Sequence, residues 1–216
     1  MSAPVLVRVV GATCQYQHGR PIHLPDVEIG VGQHTLLLGA SGAGKTTLIN
    51  AIAGLQTLQT GTVELDGTVF STLSAAGRDH IRGQKIGLVM QRLHLISALS
   101  VRANLTLTQS LAGRPVDHAM IEKIAASLGI HDKLDRQPRQ LSQGEAQRAA
   151  IARAVVNQPR LLLADEPTSA LDDSNCEAAI QLLLSQADQY QATLIVATHD
   201  ARIKGHFANV IQLLSA

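Results

Sequence analysis

At 216 residues, 45% of them hydrophobic, the chain is long enough to bury one sizeable core with room for a subdomain. A formal charge of +1 gives no global pull towards nucleic acid or an anionic membrane, and no block of like charges reads as a basic arm or acidic tail. Two tyrosines, two phenylalanines and no tryptophan provide no stacking platform for single strands, and the lone, distant Cys14 and Cys176 suit a reducing compartment.

The N-terminus shows no charged region leading into a long apolar stretch, and no apolar run approaches the roughly 18 residues that span a bilayer. The expectation is a soluble cytoplasmic protein. In chain order, "VLVRVV" (5–10) and "VEIGVG" (27–32) read as strands. "HTLLLG" (34–39) is a short apolar strand running into a glycine-rich loop, with a helix from about 46 to 53 behind it. "GTVELDGTVF" (61–70) places Asp66-Gly67 between alternating residues, a hairpin signal. "KIGLVMQ" (85–91) is another buried strand. From 101 to 156 the pattern is mainly helical, broken at Gly113-Arg114-Pro115 and Gln137-Pro138. Within it, Arg139 to Val155 starts with Ser142 and Glu145 at capping-box spacing. "RLLLAD" (160–165) and "ATLIVAT" (192–198) are strands around a helical run from 174 to 189. This alternation predicts an α/β fold with a largely parallel sheet, interrupted by a helical insertion.

Four stretches carry chemistry. Gly39-Ala40-Ser41-Gly42-Ala43-Gly44-Lys45-Thr46, followed by Thr47, is a complete G-x-x-x-x-G-K-[ST] match between a strand and a helix. Its glycines let successive backbone N–H groups face phosphate oxygens, Lys45 offers a charge to the β and γ phosphates, and Thr46 a hydroxyl to Mg²⁺. Two carboxylates, Asp165 and Glu166, end the apolar strand "LLLAD", a costly place for charge except at a solvent-facing tip. There Asp165 is a candidate Mg²⁺ holder, directly or through water, and Glu166 a candidate to polarise an attacking water. A further strand ends at His199, placed to reach a γ-phosphate and that water. The start of the helix at Ser142 is a second anion-suited site.

With these residues in view, the chain resembles the nucleotide-binding domain of an ATP-binding cassette (ABC) transporter over nearly its whole length. "GASGAGKTT" resembles the family's Walker A and "LLLADE" its Walker B, while Gln91 matches the Q-loop glutamine. "LSQGE" (141–145) is similar to the signature, "SALD" (169–172) to the D-loop, and His199 to the switch histidine. Tyr16 falls where the family places an aromatic against adenine, with core packing as its alternative. The resemblance implies a P-loop NTPase with a RecA-like parallel-sheet core and an N-terminal antiparallel β subdomain, about 1–91 and 156–216 together, and a helical subdomain of about 92–155. It implies ATP and Mg²⁺ as ligands, with Thr46, Gln91 and Asp165 arranging the metal, and Lys45, Glu166, His199 and Gln91 as catalytic residues. It also implies that two copies pair head to tail, Ser142 and Gly144 of one closing the nucleotide site of the other. Gln143 and Glu145 depart from the usual signature, so Gln143 has to point its side chain away and Glu145 has to turn back into its capping box.

Within the family, the resemblance is greatest to the lipoprotein-release, macrolide-exporter and cell-division branch (LolD, MacB and FtsE types). It implies an ATPase subunit peripheral to the cytoplasmic face of the inner or plasma membrane, bound to a separate permease, with no nucleic-acid partner. "LHLISALSV" (93–101) is the expected place of the permease contact, with burial against the helical insertion as the alternative. Other readings are an ATP-dependent clamp with little hydrolysis, or an importer-type ATPase of another branch. A small-molecule kinase would leave Glu166 and "LSQGE" unexplained, and a GTPase would need an N-K-x-D motif.

Overall fold

Two strand patterns build two sheets in the computed structural model, which describes residues 4–15, 21–169 and 173–214. The first sheet alternates. In β1 (Val5–Cys14), Val7 and Val9 are buried while Arg8 between them faces outward. Arg8 there meets Glu28 of β3 (Val27–Gly30) at 3.0 Å and Glu64 of β5 (Leu58–Leu65) at 3.5 Å, its register partners on either side. With β2 (Ile22–His23) and β6 (Thr68–Val69) these strands form a five-stranded antiparallel sheet. Asp66 and Gly67, with φ of 50° and 75°, make the tight turn between β5 and β6 that their sequence predicts.

The second sheet is wholly parallel and buried on both faces. Its strands are β4 (Thr35–Gly39), β7 (Ile86–Val89), β8 (Leu161–Asp165), β9 (Thr193–Thr198) and β10 (Asn209–Leu213), arranged β7-β8-β9-β4-β10. Period-two geometry sends Leu36, Leu162, Ala164, Leu194 and Val196 into one core. Leu37, Leu161, Leu163, Ile195 and Ala197 enter a second core, shared with α1 (Lys45–Ile52) and the antiparallel sheet. This two-sided burial is why these strands read as continuous apolar runs. Gly39, Asp165 and Thr198 all stand at carboxyl ends, so the residues that follow them converge on one edge, where open α/β sheets bind ligands.

Between β7 and β8 the chain makes its crossover through α3 (Val101–Leu111), α4 (His118–Ser127) and α5 (Gln143–Val155); α6 (Asp173–Gln189) precedes β9. Val101, Leu105, Ile121, Ile124 and Ile151 join these helices to the first core. Val101 is thus packed inside, as the burial alternative expects, whereas Ile96 is 45% exposed. Three elements escape the sequence reading, the first being the two-residue strand β2, too short to show a pattern. The helix α2 (Ala75–Lys85) buries none of its residues, so it has no apolar stripe to announce it. The strand β10 is short and exists through its pairing with β4.

The helix α5 lies directly on β7 because Gly87 has no side chain: a Cβ there would stand 2.2 Å from the Ala154 carbonyl oxygen. The Asn157 amide just beyond α5 donates to the Gly83 and Thr108 carbonyls and locks the same end to α2 and α3. Replacing Gly87 with Ala forces backbone apart rather than a flexible tip. Gly87→Ala is expected to destabilise the fold by about 2–3 kcal/mol, read as a lower denaturation midpoint at unchanged m-value.

Candidate functional site

The loop after β4 is built on glycines for two separate reasons. At Gly39 a Cβ would stand 2.7 Å from the Leu213 carbonyl oxygen of β10, so the strand end has to be bare. Gly42 and Gly44 have φ of 83° and 85°, the left-handed region in which a glycine carries no steric penalty. Gly44 caps α1 without a side-chain acceptor, leaving the positive end of that helix unshielded by a side chain. Ala40, Ser41 and Gly42 are exposed and Ala43 is half-buried.

Lys45 is 5% exposed, and its Nζ donates to the Gly39 and Ala40 carbonyls at 2.9 and 3.0 Å. The same ammonium lies 3.5 Å from Glu166 Oε1. Thr46 Oγ1 donates to Asp165 Oδ2 at 2.9 Å, joining the loop to the tip of β8, and Thr47 beside it is buried. Asp165 is 4% exposed and its Oδ1 has no hydrogen-bond partner among the described residues. Burial lifts its carboxyl above the ordinary carboxylate range, opposed by the Thr46 hydrogen bond, while the Glu166 charge adds to the rise and Lys45 opposes it.

Glu166 is held from three sides. Its Oε2 accepts from Thr198 Oγ1 at 2.8 Å, His199 Nδ1 stands 3.0 Å from both carboxylate oxygens, and Lys45 closes the third side. Burial alone would raise this carboxyl, but the His199 and Thr198 hydrogen bonds, with the charges of His199 and Lys45, carry it below its ordinary value. Glu166 is therefore ionised at neutral pH. Five predicted residues, Lys45, Thr46, Asp165, Glu166 and His199, are thus brought into one cluster.

Gln91 stands at its rim. No hydrogen bond joins it to Thr46 or Asp165; its amide faces Ser169 Oγ at 3.4 Å, and it shares a cleft with Glu166, Pro167, Gln143 and Gln147. Tyr16 lies outside the described residues, as do Ala170, Leu171 and Asp172 of the "SALD" stretch. Thr198 escapes the sequence reading, although a hydroxyl at the polar end of a buried strand, one place before His199, is the signal that could have found it.

Ser142 and Gly144 are exposed at the start of α5, and no hydrogen bond or ion pair between described residues joins them to the loop at 39–46. The capping box forms as its spacing predicts. Ser142 Oγ accepts from the Glu145 N–H at 3.3 Å, and the Ser142 N–H donates to Glu145 Oε2 at 2.7 Å. Those bonds, with Lys133 at 3.5 Å, hold the Glu145 carboxyl below its usual value and fold it back onto the Ser142 N–H. Gly144 has no such internal demand: its φ is not positive, and a Cβ would meet only the Arg148 guanidinium at an ordinary 3.6 Å.

The cluster is that of a phosphate-handling ATPase, and comparison with known proteins agrees. The family model for ABC transporters matches residues 23–169. The lipoprotein-releasing system ATP-binding protein LolD of Saccharophagus degradans is 37% identical over 190 residues, 87% of this chain and 83% of that protein. An ABC transporter ATP-binding protein of Mycoplasma pneumoniae is 39% identical over 81% of this chain, which spans only 51% of that relative's length. A dimeric ATP-binding cassette solved in a post-hydrolysis state with ADP and Pi superimposes with a TM-score of 0.84 at 32% identity, covering 96% of this chain and 94% of that one. The chain belongs to the ABC transporter family and is one of its ATPase cassettes.

Because each half of the capping box satisfies one backbone N–H donor at the start of α5, Ser142→Ala and Glu145→Ala should each cost about 1 kcal/mol of stability. The double variant should cost less than their sum, measured by denaturant titration.

Proposed function

We propose that the chain drives a separate membrane permease by hydrolysing ATP between two copies of itself paired head to tail. The observation that carries this reading is the presence of two phosphate-suited sites that no hydrogen bond joins within one chain. One is the cluster around Lys45 and Glu166; the other is the exposed start of α5, whose Gly144 nothing inside the chain requires. A glycine there allows close approach by a phosphate from another copy.

In this mechanism the backbone from Gly39 to Thr47 cradles the phosphates of ATP, and Tyr16 packs on adenine. Lys45, already oriented by the Gly39 and Ala40 carbonyls, turns its remaining donor from Glu166 to the γ-phosphate. The donor set fits Mg²⁺. Thr46 Oγ1 and Asp165 are hard oxygen donors, Asp165 Oδ1 is a buried acceptor lacking a partner, and among the described residues no cluster of three or more His, Cys, Asp or Glu could hold a metal without help from phosphate. Thr46 and Asp165, with Gln91 at the rim, would hold the ion, which offsets phosphate charge. Glu166, ionised, orients the attacking water, and His199 holds Glu166 and contacts the γ-phosphate. Ser142 and Gly144 of the partner copy close the site, so that catalysis rests on positioning and electrostatics.

The organisation follows the same reading: a β-containing core of about 1–91 and 156–216, and a helical subdomain of about 92–155 that carries the signature. The permease contact fits a groove between them. Leu55 and Leu111, 50% and 78% exposed, flank it, with Leu88, Met90, His94 and Arg153 along its wall. Among the described residues no helix is long and apolar enough to cross a membrane, so the chain would meet the bilayer through that partner on the cytoplasmic face. The likeness to a protein named for lipoprotein release supports the branch that also includes macrolide exporters and cell-division ATPases.

Lys45→Ala should abolish ATP turnover, and turnover near that of the wild type would overturn the loop's role. Glu166→Gln should shift to a dimer on size-exclusion chromatography only with ATP and Mg²⁺, and Ser142→Arg added to it should return the elution to the monomer while ATP still binds. A dimer that persists in the double variant would count against the shared site.

A further inference from the structure

The carboxylate next to His199 is a hub that the mechanism above does not use. Asp200 is nearly enclosed, its side chain 10% exposed. Arg202 reaches it with a fork, Nε at 2.9 Å from Oδ1 and Nη2 at 2.6 Å from Oδ2, and the Arg202 N–H donates to Oδ1 at 3.0 Å. Two further donors approach Oδ2 from the other side. Thr168 Oγ1 lies at 3.5 Å and Cys176 Sγ at 3.6 Å, both residues being buried. Thr168 comes just before the 169–172 stretch and Cys176 just after it, so one carboxylate gathers both flanks of that stretch.

The backbone of Asp200 carries the effect inward. Its N–H donates to Thr198 Oγ1 at 3.1 Å. A hydroxyl has one proton, and Thr198, accepting from Asp200, sends that proton to Glu166 Oε2 at 2.8 Å. His199, between the two, is the other group on the Glu166 carboxylate. Residues 198 and 199 are therefore aimed by a chain segment whose next residue is clamped.

The geometry points to Asp200 as a positioning residue: it orients Glu166 through Thr198 and His199, and ties that orientation to both flanks of the 169–172 stretch through Thr168 and Cys176. The inference rests on the assignment of Glu166 and His199 to the hydrolytic step. Charge-assisted bonds from Arg202 make the clamp stiff, and they hold the Asp200 carboxyl down at about 2, so it is ionised at neutral pH.

The test is steady-state ATP turnover and ATP affinity of the chain with substitutions at Asp200, Arg202, Thr198 and His199. Asp200→Ala should lower kcat by about 10-fold or more with KM and ATP affinity changed less than about 2-fold. Arg202→Gln, which removes the fork from the solvent side without opening the core, should show the same split at about 3-fold. In a Thr198→Val background, Asp200→Ala should cost clearly less than it does in the wild type, because the part of its effect that runs through the Thr198 hydroxyl is already gone. Losses that simply multiply, a matching loss of ATP affinity, or unchanged kcat in both single variants would overturn the clamp. If His199→Ala itself keeps full turnover, the assignment of the hydrolytic residues falls and the clamp with it. If His199→Ala loses turnover while Asp200→Ala does not, only the clamp falls.

Discussion

A buried lysine set against two adjacent carboxylates governs this molecule. Lys45, Asp165 and Glu166 are withdrawn from solvent at the edge of the parallel sheet, where an isolated charge would be expensive. Each is made tolerable by the others and by the carbonyls of Gly39 and Ala40, the Thr46 hydroxyl and the Thr198–His199 tip. The arrangement requires β4, β8 and β9 to end level with one another. The register provides this, pairing Leu38 with Thr198 and Asp165 with Ala197. One acceptor, Asp165 Oδ1, is left without a partner, and a buried oxygen in that state favours a cation.

The second phosphate-suited site is held by a different logic. The start of α5 is fixed by the Ser142–Glu145 capping box, with Lys133 beside the carboxylate, and stays exposed. At its other end the helix is fixed by contact of Gly87 with Ala154, a backbone approach with no slack. Between these ends, the Gln147 amide donates to the Pro167 carbonyl at 3.0 Å, directly after Glu166. A rigid helix thus spans from the groove beside Met90 and Arg153 to the vicinity of the Glu166 carboxylate. Movement at one end of such an element cannot be absorbed locally, which suits a cassette whose nucleotide state has to be felt by another protein.

Much of this was legible in the sequence because the informative signals are local. The glycine spacing of 39–46, the Asp66-Gly67 turn, the apolar runs of the parallel strands and the Ser142–Glu145 box each express their own backbone chemistry, and each appears as expected. Local logic also explains the omissions. The helix α2 is stabilised by contacts it receives rather than by residues it buries, and β10 is defined by a neighbour about 170 residues away in the chain. Thr198 and Asp200 matter through partners on other elements, Glu166 above all and Thr168 and Cys176 besides, which no spacing within their own segment encodes.

The backbone at Glu166 shows how the chain ranks these demands. Its φ of 49° is a conformation that glycine would adopt more cheaply, and a non-glycine residue there carries a steric cost of about 1 kcal/mol. Glycine would also remove the carboxylate. The turn sends the chain out of β8 at once, while the Glu166 N–H still reaches the Ala197 carbonyl at 2.8 Å. The side chain is thereby carried back across the tip of β9 to Thr198, His199 and Lys45, where an extended continuation of the strand would aim it out of one face of the sheet. A strained residue held by three side-chain partners is one whose orientation is worth more than its comfort. Two of those partners, Lys45 and His199, are groups that ATP would engage in the proposed mechanism, so its arrival would redistribute the contacts that hold the strain, which makes this turn a natural place for nucleotide state to be converted into position.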